Sequence, residues 1–479
     1  MKRREYIDFK LYLTRASDGQ GACQVALLPT PEVGETVSPV TVLAEESPPL
    51  DLLAYLASKQ ITWRSLAKLG KKLANCLLPE GTIRERFKYA YDHAGTDGGV
   101  RLRLIIADHS LKQWPWEYAF VNLQGGPDGM HGFLALNPRI SLVRHEPLPH
   151  PHPVPGRASD DLTDVRMAIA AALSEGQREL QLDKEVANIK EAVHDFNVDG
   201  VRIRVDPVLM DVTPDELARK LPKGTHIFHF AGHGTTEKKH DRFTSGGMMK
   251  EEGVLLLVAD KETRREARLR ATDLAMILQG VGVRLAVLGA CHSGARDARY
   301  PWDSVAGALA AGEVPAIIAM QYEVIDVQLI AFSEAFYGAL ASGLAMDEAV
   351  ALGRLAMLQV TSTEPDQLVN VEWGVPVLYS RLPDGALFPE RMARAGATAE
   401  RFRRVIHQTV EQISKSGSVV GITAKRVRGG FSVEQRVLVV DGTLVGAQLG
   451  TVDRGARLHV DQDLGTVSGD VKGVILDEI

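Results

Sequence analysis

The chain has 479 residues and a net charge of −6, with 45% hydrophobic and 24% charged residues. These are ordinary globular values, so a fibrous or wholly disordered chain is excluded, and the length suits two or three domains of roughly 100–200 residues. The acidic balance argues against nucleic acid or an anionic membrane surface as the principal partner, leaving only local clusters such as Arg401, Arg403 and Arg404 as docking points.

Three cysteines, Cys23, Cys76 and Cys291, cannot build a disulfide framework and match no zinc spacing, which favours a reducing compartment. The opening MKRREYIDFKLYLTR is charged and alternating where a secretory leader would be continuously apolar, and no apolar run is long enough for a membrane span. A cytoplasmic protein with no membrane partner is expected.

Residues 5–13 (YIDFKLYLT) alternate as a half-buried strand. Residues 51–78 then carry leucines at helical spacing, and 100–107 (VRLRLIIA) and ISLVRHE read as further strands. The run PLPHPHPVP at 147–155 breaks every regular element, so a linker is placed at 148–160, with 1–147 as an accessory α/β part. His150 and His152 fall in that linker and are read as exposed rather than as metal ligands.

From 161 to 383 strands and helices alternate. VRMAIAA, a helix over 178–195, VRIRVDP, a helix opening at Thr213, HIFHFAG, GVLLLVA and a helix opening at Thr272 come first. VRLAVLGA, a helix from about 304, AIIAMQ, helices over 327–341 and 346–360, and WGVPVLYS complete the series. Nearly continuous apolar strands separated by helices predict a mainly parallel sheet covered on both faces, with its ligand site outside the C-terminal strand ends.

A second boundary falls at 384–400, followed by a module over 401–479 that opens with a short helix over 400–414. Segment 433–446 aligns without gaps on 460–473, matching Val433/Val460, Gln435/Gln462, Val440/Val467, Gly442/Gly469 and Gly446/Gly473. Such a 27-residue period predicts a small all-β repeat module of solenoid type.

Two apolar strands end in polar tips. HIFHFAGHG is read as a strand that breaks at Gly232 and delivers His233, and RLAVLGACHSG delivers Cys291 between Gly289 and Gly294. Either residue alone is more commonly a loop histidine or a small buried hydrophobe. Together, at the same edge of one sheet, they suit a nucleophile and its base, because an unperturbed thiol is mostly protonated at neutral pH. The glycines let backbone amides, those of Gly234 and Cys291, approach a developing oxyanion. His226 and His229 lie three apart within the strand, on opposite faces, and are read as core or supporting residues. His292 and Ser293 are read as lining residues, since GACHSG lacks the serine-hydrolase elbow.

HFAGHG and GACHSG so placed resemble the CHAT peptidases, bacterial relatives of caspases, metacaspases and separase. RLRLIIADHSLKQWPWEYAF, GFLALNPRISLVRHEP, TDLAMIL and WGVPVLY extend the resemblance over roughly 50–380. It implies a caspase-like α/β sheet flanked by helices and a cysteine endopeptidase that cuts a protein substrate through a thioester, with catalytic His233 and Cys291 and no metal or organic cofactor. QYEVID resembles the separase stretch that helps supply an acidic specificity pocket, which implies Glu323 and Asp326 as substrate-binding residues favouring Arg or Lys before the cut. Metacaspases carry an Asp where this chain has Gly289, so their specificity and calcium dependence do not transfer. By analogy, 401–479 docks an activating protein partner or small effector, in a setting of antiviral defence. A catalytically silent scaffold is the alternative reading, and an acyltransferase or amidase with the same dyad is a third.

Overall fold

The computed structural model describes residues 4–15, 23–30, 40–44, 50–123, 125, 128–146, 164–175, 181–194, 202–240, 249–292, 301–322, 324, 326–360, 369–382, 385, 387, 404–413, 418–427, 431–440, 443–452, 458–467 and 470–476. Residues 40–44, 50, 164, 194, 202, 238–240, 249–251, 290–292, 301–303, 326 and all from 404 onward are described by their backbone alone. The linkers expected at 148–160 and, but for residues 385 and 387, at 384–400 lie outside the described residues. The chain divides into two compact units, Arg3–Met392 and Ala393–Ile479.

In chain order the larger unit opens with β1 (Glu5–Arg15), β2 (Cys23–Leu28), β3 (Val40–Ala44), α1 (Leu50–Ala57), α2 (Trp63–Leu77), α3 (Thr82–His93), β4 (Gly98–Ile106), α4 (His109–Lys112) and β5 (Ile140–Arg144). It continues through β6 (Asp164–Ala171), α5 (Leu182–His194), β7 (Arg202–Leu209), α6 (Pro214–Lys220), β8 (Thr225–His240), β9 (Met249–Val258), β10 (Glu266–Arg270) and α7 (Ala271–Val281). It closes with β11 (Leu285–His292), α8 (Pro301–Ala311), β12 (Ala316–Met320), α9 (Asp326–Ala341), α10 (Met346–Gln359) and β13 (Pro376–Ser380). Among the described residues all 13 strands join one sheet, so the accessory part and the segment after residue 160 share a single compact unit.

Strands β7, β6, β8, β11 and β12 lie side by side in parallel, and β13 runs antiparallel beyond β12. Beyond it come β5, β4 and β1 in parallel, then β2 and β3 antiparallel. Alternation divides the sheet into two cores. Ile227, Leu285 and Val287 face a layer that includes Val186 and Ile189 of α5 and Phe336 of α9, while Phe228, Phe230, Ala286 and Leu288 face Leu274 of α7 and Leu309 of α8. The chain leaves β6 for β7 on one side and returns to β8 on the other. That reversal is a topological switch point between β6 and β8.

Local chemistry fixes several boundaries. Thr213 Oγ1 accepts from the Glu216 amide and Glu216 accepts from the Thr213 amide, a capping box that starts α6 with Pro214 at its first turn. The helical stretch expected over 51–78 is two helices, α1 and α2, the second capped by Thr62.

Two expectations are corrected. The strand through Phe230 does not break at Gly232; β8 runs on to His240, and its second half pairs antiparallel with β9. A Cβ on Gly232 would meet the Ala172 carbonyl oxygen and the Phe230 ring, each at 2.8 Å, so this glycine marks a close approach within a strand rather than a turn. Residues 404–413 are a strand, not a helix.

The smaller unit holds β14 (Arg404–Ile413), β15 (Ser418–Val427), β16 (Phe431–Val440), β17 (Thr443–Val452), β18 (Leu458–Val467) and β19 (Asp470–Leu476). They form two three-stranded parallel sheets, β14-β16-β18 and β15-β17-β19. Val433, Gln435 and Val440 lie in register with Val460, Gln462 and Val467, the partners the repeat predicts. Gly442 and Gly469 lie outside the described residues. A third rung precedes them, with Gln408 in register with Gln435. The geometry is that of stacked coils of a parallel solenoid, each strand hydrogen-bonding its successor.

Candidate active site

β8 and β11 run in parallel as nearest neighbours, and their register places Cys291 opposite His233 and His292 opposite Gly234. The two candidate residues, 58 positions apart in sequence, thus meet by backbone at the carboxyl edge of the sheet. His233 is buried, and on its other side it stands in register with Leu256 of β9. Gly234 also belongs to this ladder, between His292 and Leu255. His233 is therefore seated in a paired strand rather than on an exposed tip. Of Cys291 the structure describes the backbone position only.

Two residues earlier in each strand, Ala231 lies opposite Gly289, and Ala171 of β6 lies on the far side of Ala231. One further step back, His229 lies opposite Val287. His229 is buried and bonded on both nitrogens, Nε2 to Glu185 Oε1 of α5 at 3.0 Å and Nδ1 to the Tyr337 hydroxyl of α9 at 2.8 Å. His226 takes the Arg166 amide on Nδ1 at 3.1 Å. Both histidines are thus hydrogen-bonded within the sheet or to its covering helices. Glu185 and Tyr337 had no signal in the sequence beyond their place on helices.

Among the described residues no three His, Cys, Asp or Glu side chains are grouped to hold a metal ion. No described helix is long and apolar enough to cross a membrane. Glu323 lies outside the described residues, and Asp326, the first residue of α9, is described by backbone alone; Val324 between them is buried. Cys23 and Cys76 are buried in the accessory part, where a hydrogen bond from Cys76 holds the Cys23 thiol below its usual range.

The WPWEY segment braces the same sheet. Glu117 is fully buried and takes Arg144 of β5 in a two-pronged pair at 3.2 and 2.9 Å. Arg144 also donates to the carbonyls of Lys112 and Trp114 and reaches Gln321, the residue that begins QYEVID.

A model of the CHAT domain matches residues 67–400. The chain belongs to the CHAT family. Family membership places it with the cysteine-protease-like proteins of the caspase clan, and its mostly parallel, helix-flanked sheet has that architecture. A search of curated proteins finds no match. Among solved structures, the separase–securin complex of Saccharomyces cerevisiae is similar at 12% identity and a TM-score of 0.41, over 78% of this chain and 30% of that one. The chain therefore spans less than a third of the separase chain's length. Gingipain R, an Arg-specific cysteine proteinase, is similar at 13% identity and a TM-score of 0.36, over 66% of this chain and 68% of that one.

Proposed function

We propose that this CHAT protein is a cysteine endopeptidase in which Cys291 is the nucleophile and His233 its base. The observation that carries the reading is the parallel register that sets the two residues opposite one another at the carboxyl edge of the sheet. There a ring nitrogen of His233 takes the thiol proton and the thiolate attacks the carbonyl carbon of the scissile bond. The amides of Gly234 and Cys291 receive the oxyanion, and the tetrahedral adduct collapses to a thioester as His233 returns the proton to the leaving amine. Water, deprotonated by His233, then hydrolyses the thioester and releases the thiol.

A basic residue before the cut is the preferred substrate feature, with Glu323 and Asp326 the acidic positions of the segment read as the specificity wall. The natural setting proposed is cytoplasmic, as an effector of antiviral defence released by a protein partner or small effector on the C-terminal unit. A silent scaffold with the same fold would need no thiol at 291. The test is cleavage of a protein mixture by the parent, Cys291→Ala and His233→Ala. Loss in both variants supports the reading, and substantial cleavage by Cys291→Ala contradicts it.

A further inference from the structure

One row behind the proposed dyad, β6, β8 and β11 set Ala171, Ala231 and Gly289 side by side. A row of the smallest residues makes a floor rather than a packed layer. The first turns of α5 stand over it: Leu182 joins Ala171 and Ala231 in a small apolar cluster, and Glu185, three residues on, lies on the same helix face. Its carboxylate comes so close that a Cβ on Gly289 would sit 3.2 Å from Oε1. The floor is small because a carboxylate occupies the space above it.

His229 and Tyr337 fix that carboxylate. Nε2 of His229 donates to Oε1 at 3.0 Å, and Nδ1 is hydrogen-bonded to the Tyr337 hydroxyl at 2.8 Å. Tyr337 keeps its proton, since burial, helped by the Glu185 charge, pushes its ionisation well above the ordinary phenol range. Among the described residues the Glu185 carboxylate is held by the His229 imidazole rather than by a Lys or Arg. A buried carboxylate without a Lys or Arg partner favours an incoming cation.

Distance selects the cation. Two residues along a strand span about 6.6 Å, so the carboxylate site lies roughly one long side chain behind the Cys291–His233 pair. A Lys or Arg stem covers that interval; Asp or Ser does not. We infer that Glu185 is a further specificity residue of the site, receiving the ammonium or guanidinium of the residue before the scissile bond, with His229 and Tyr337 as its positioning residues. The inference rests on the peptidase reading for the location of the scissile bond. It adds a carboxylate on α5 to the acidic positions Glu323 and Asp326.

The test uses the full chain carrying Cys291→Ala, so that peptides bind without turnover. The ligands are a pool of peptides with one Arg and randomised flanks, and its twin with citrulline, the uncharged isostere. The Arg pool is expected to bind at least about tenfold tighter than the twin, the worth of one charge-assisted hydrogen bond. Adding Glu185→Gln should shrink that ratio to below about threefold. A ratio that survives Glu185→Gln, or a parent with no preference, overturns the inference. Should Glu185→Gln not fold, Gly289→Ala replaces it: a methyl pressed on Oε1 is expected to lower the ratio, and an unchanged ratio is equally fatal. Cleavage of the same pools by the protein with Cys291 intact reports on the peptidase reading separately. Discrimination without cleavage sinks that reading and keeps the carboxylate pocket, and cleavage whose Arg preference ignores Glu185→Gln does the reverse.

Discussion

His233 is buried and sits in a paired strand, so its replacement has two separable effects. His233→Ala is expected to lower the cleavage rate by roughly 10²–10⁴, the usual worth of a positioned base. It should also cost about 1–3 kcal/mol in denaturant unfolding, because a buried polar side chain and its contacts are lost. Cys291→Ala should abolish cleavage while leaving stability within about 1–2 kcal/mol of the parent. A rate loss that scales with unfolding alone would contradict a chemical role for His233. The pairing was legible in sequence because each residue closes a continuous apolar run with glycines nearby. Glu185 was not, since its meeting with His229 spans 44 residues and depends on how α5 lies on the sheet.

At the scale of elements, a buried ion network ties the accessory strands to α10. Asp347 accepts two hydrogen bonds from Arg101 of β4, at 2.8 and 2.7 Å, and another from Ser141 of β5, while Asp8 of β1 takes Arg101 and Arg103. Burial alone would raise the Asp347 carboxyl, but the Arg101 guanidinium and these hydrogen bonds outweigh it and hold it below the usual carboxylate range. A carboxylate depressed in the folded state contributes stability above its unfolded value of about 3.9, and that contribution is lost as pH falls through the folded value. Urea midpoints should therefore drop more steeply between about pH 5 and pH 3 in the parent than in Asp347→Asn. The variant itself should lose about 3–5 kcal/mol at neutral pH, because Arg101 is left buried with a weaker partner. Parallel acid profiles in the two proteins would contradict this account. Such a network is illegible in sequence: Arg101 and Asp347 are 246 residues apart. What the sequence did carry at this scale was period. Continuous apolar runs located the parallel strands, whereas β2, β3 and β10 passed unread, and α3 was missed although Ile83, Phe87, Ala90 and Tyr91 repeat on one buried face.

The whole molecule is two units built on different periods. The gapless repeat found two rungs of the solenoid because β16 and β18 stand 27 residues apart, 431 to 458. The first rung keeps the same spacing, 404 to 431, but of its register partners only Gln408/Gln435 and Val410/Val437 are identical, too few for the sequence to show the repeat. The strand at 404–413 therefore read as a short helix. A chain ending near residue 395 is expected to fold, because the sheet, both cores and the ion network all lie within Arg3–Met392. Its larger unfolding transition should match that of the full chain in calorimetry. If the solenoid docks the activator, the truncated protein should lose the increase in cleavage that an extract holding the natural partner gives the full chain. An equal response in both would assign activation to the larger unit.

The central claim is that His233 activates Cys291. The most direct test is the rate of iodoacetamide alkylation at Cys291, resolved from Cys23 and Cys76 by mass spectrometry, in the parent and in His233→Ala at neutral pH. The account predicts at least about tenfold slower alkylation of Cys291 in the variant, since the thiolate fraction falls without its base. Equal rates in the two proteins, with both folded, would contradict it.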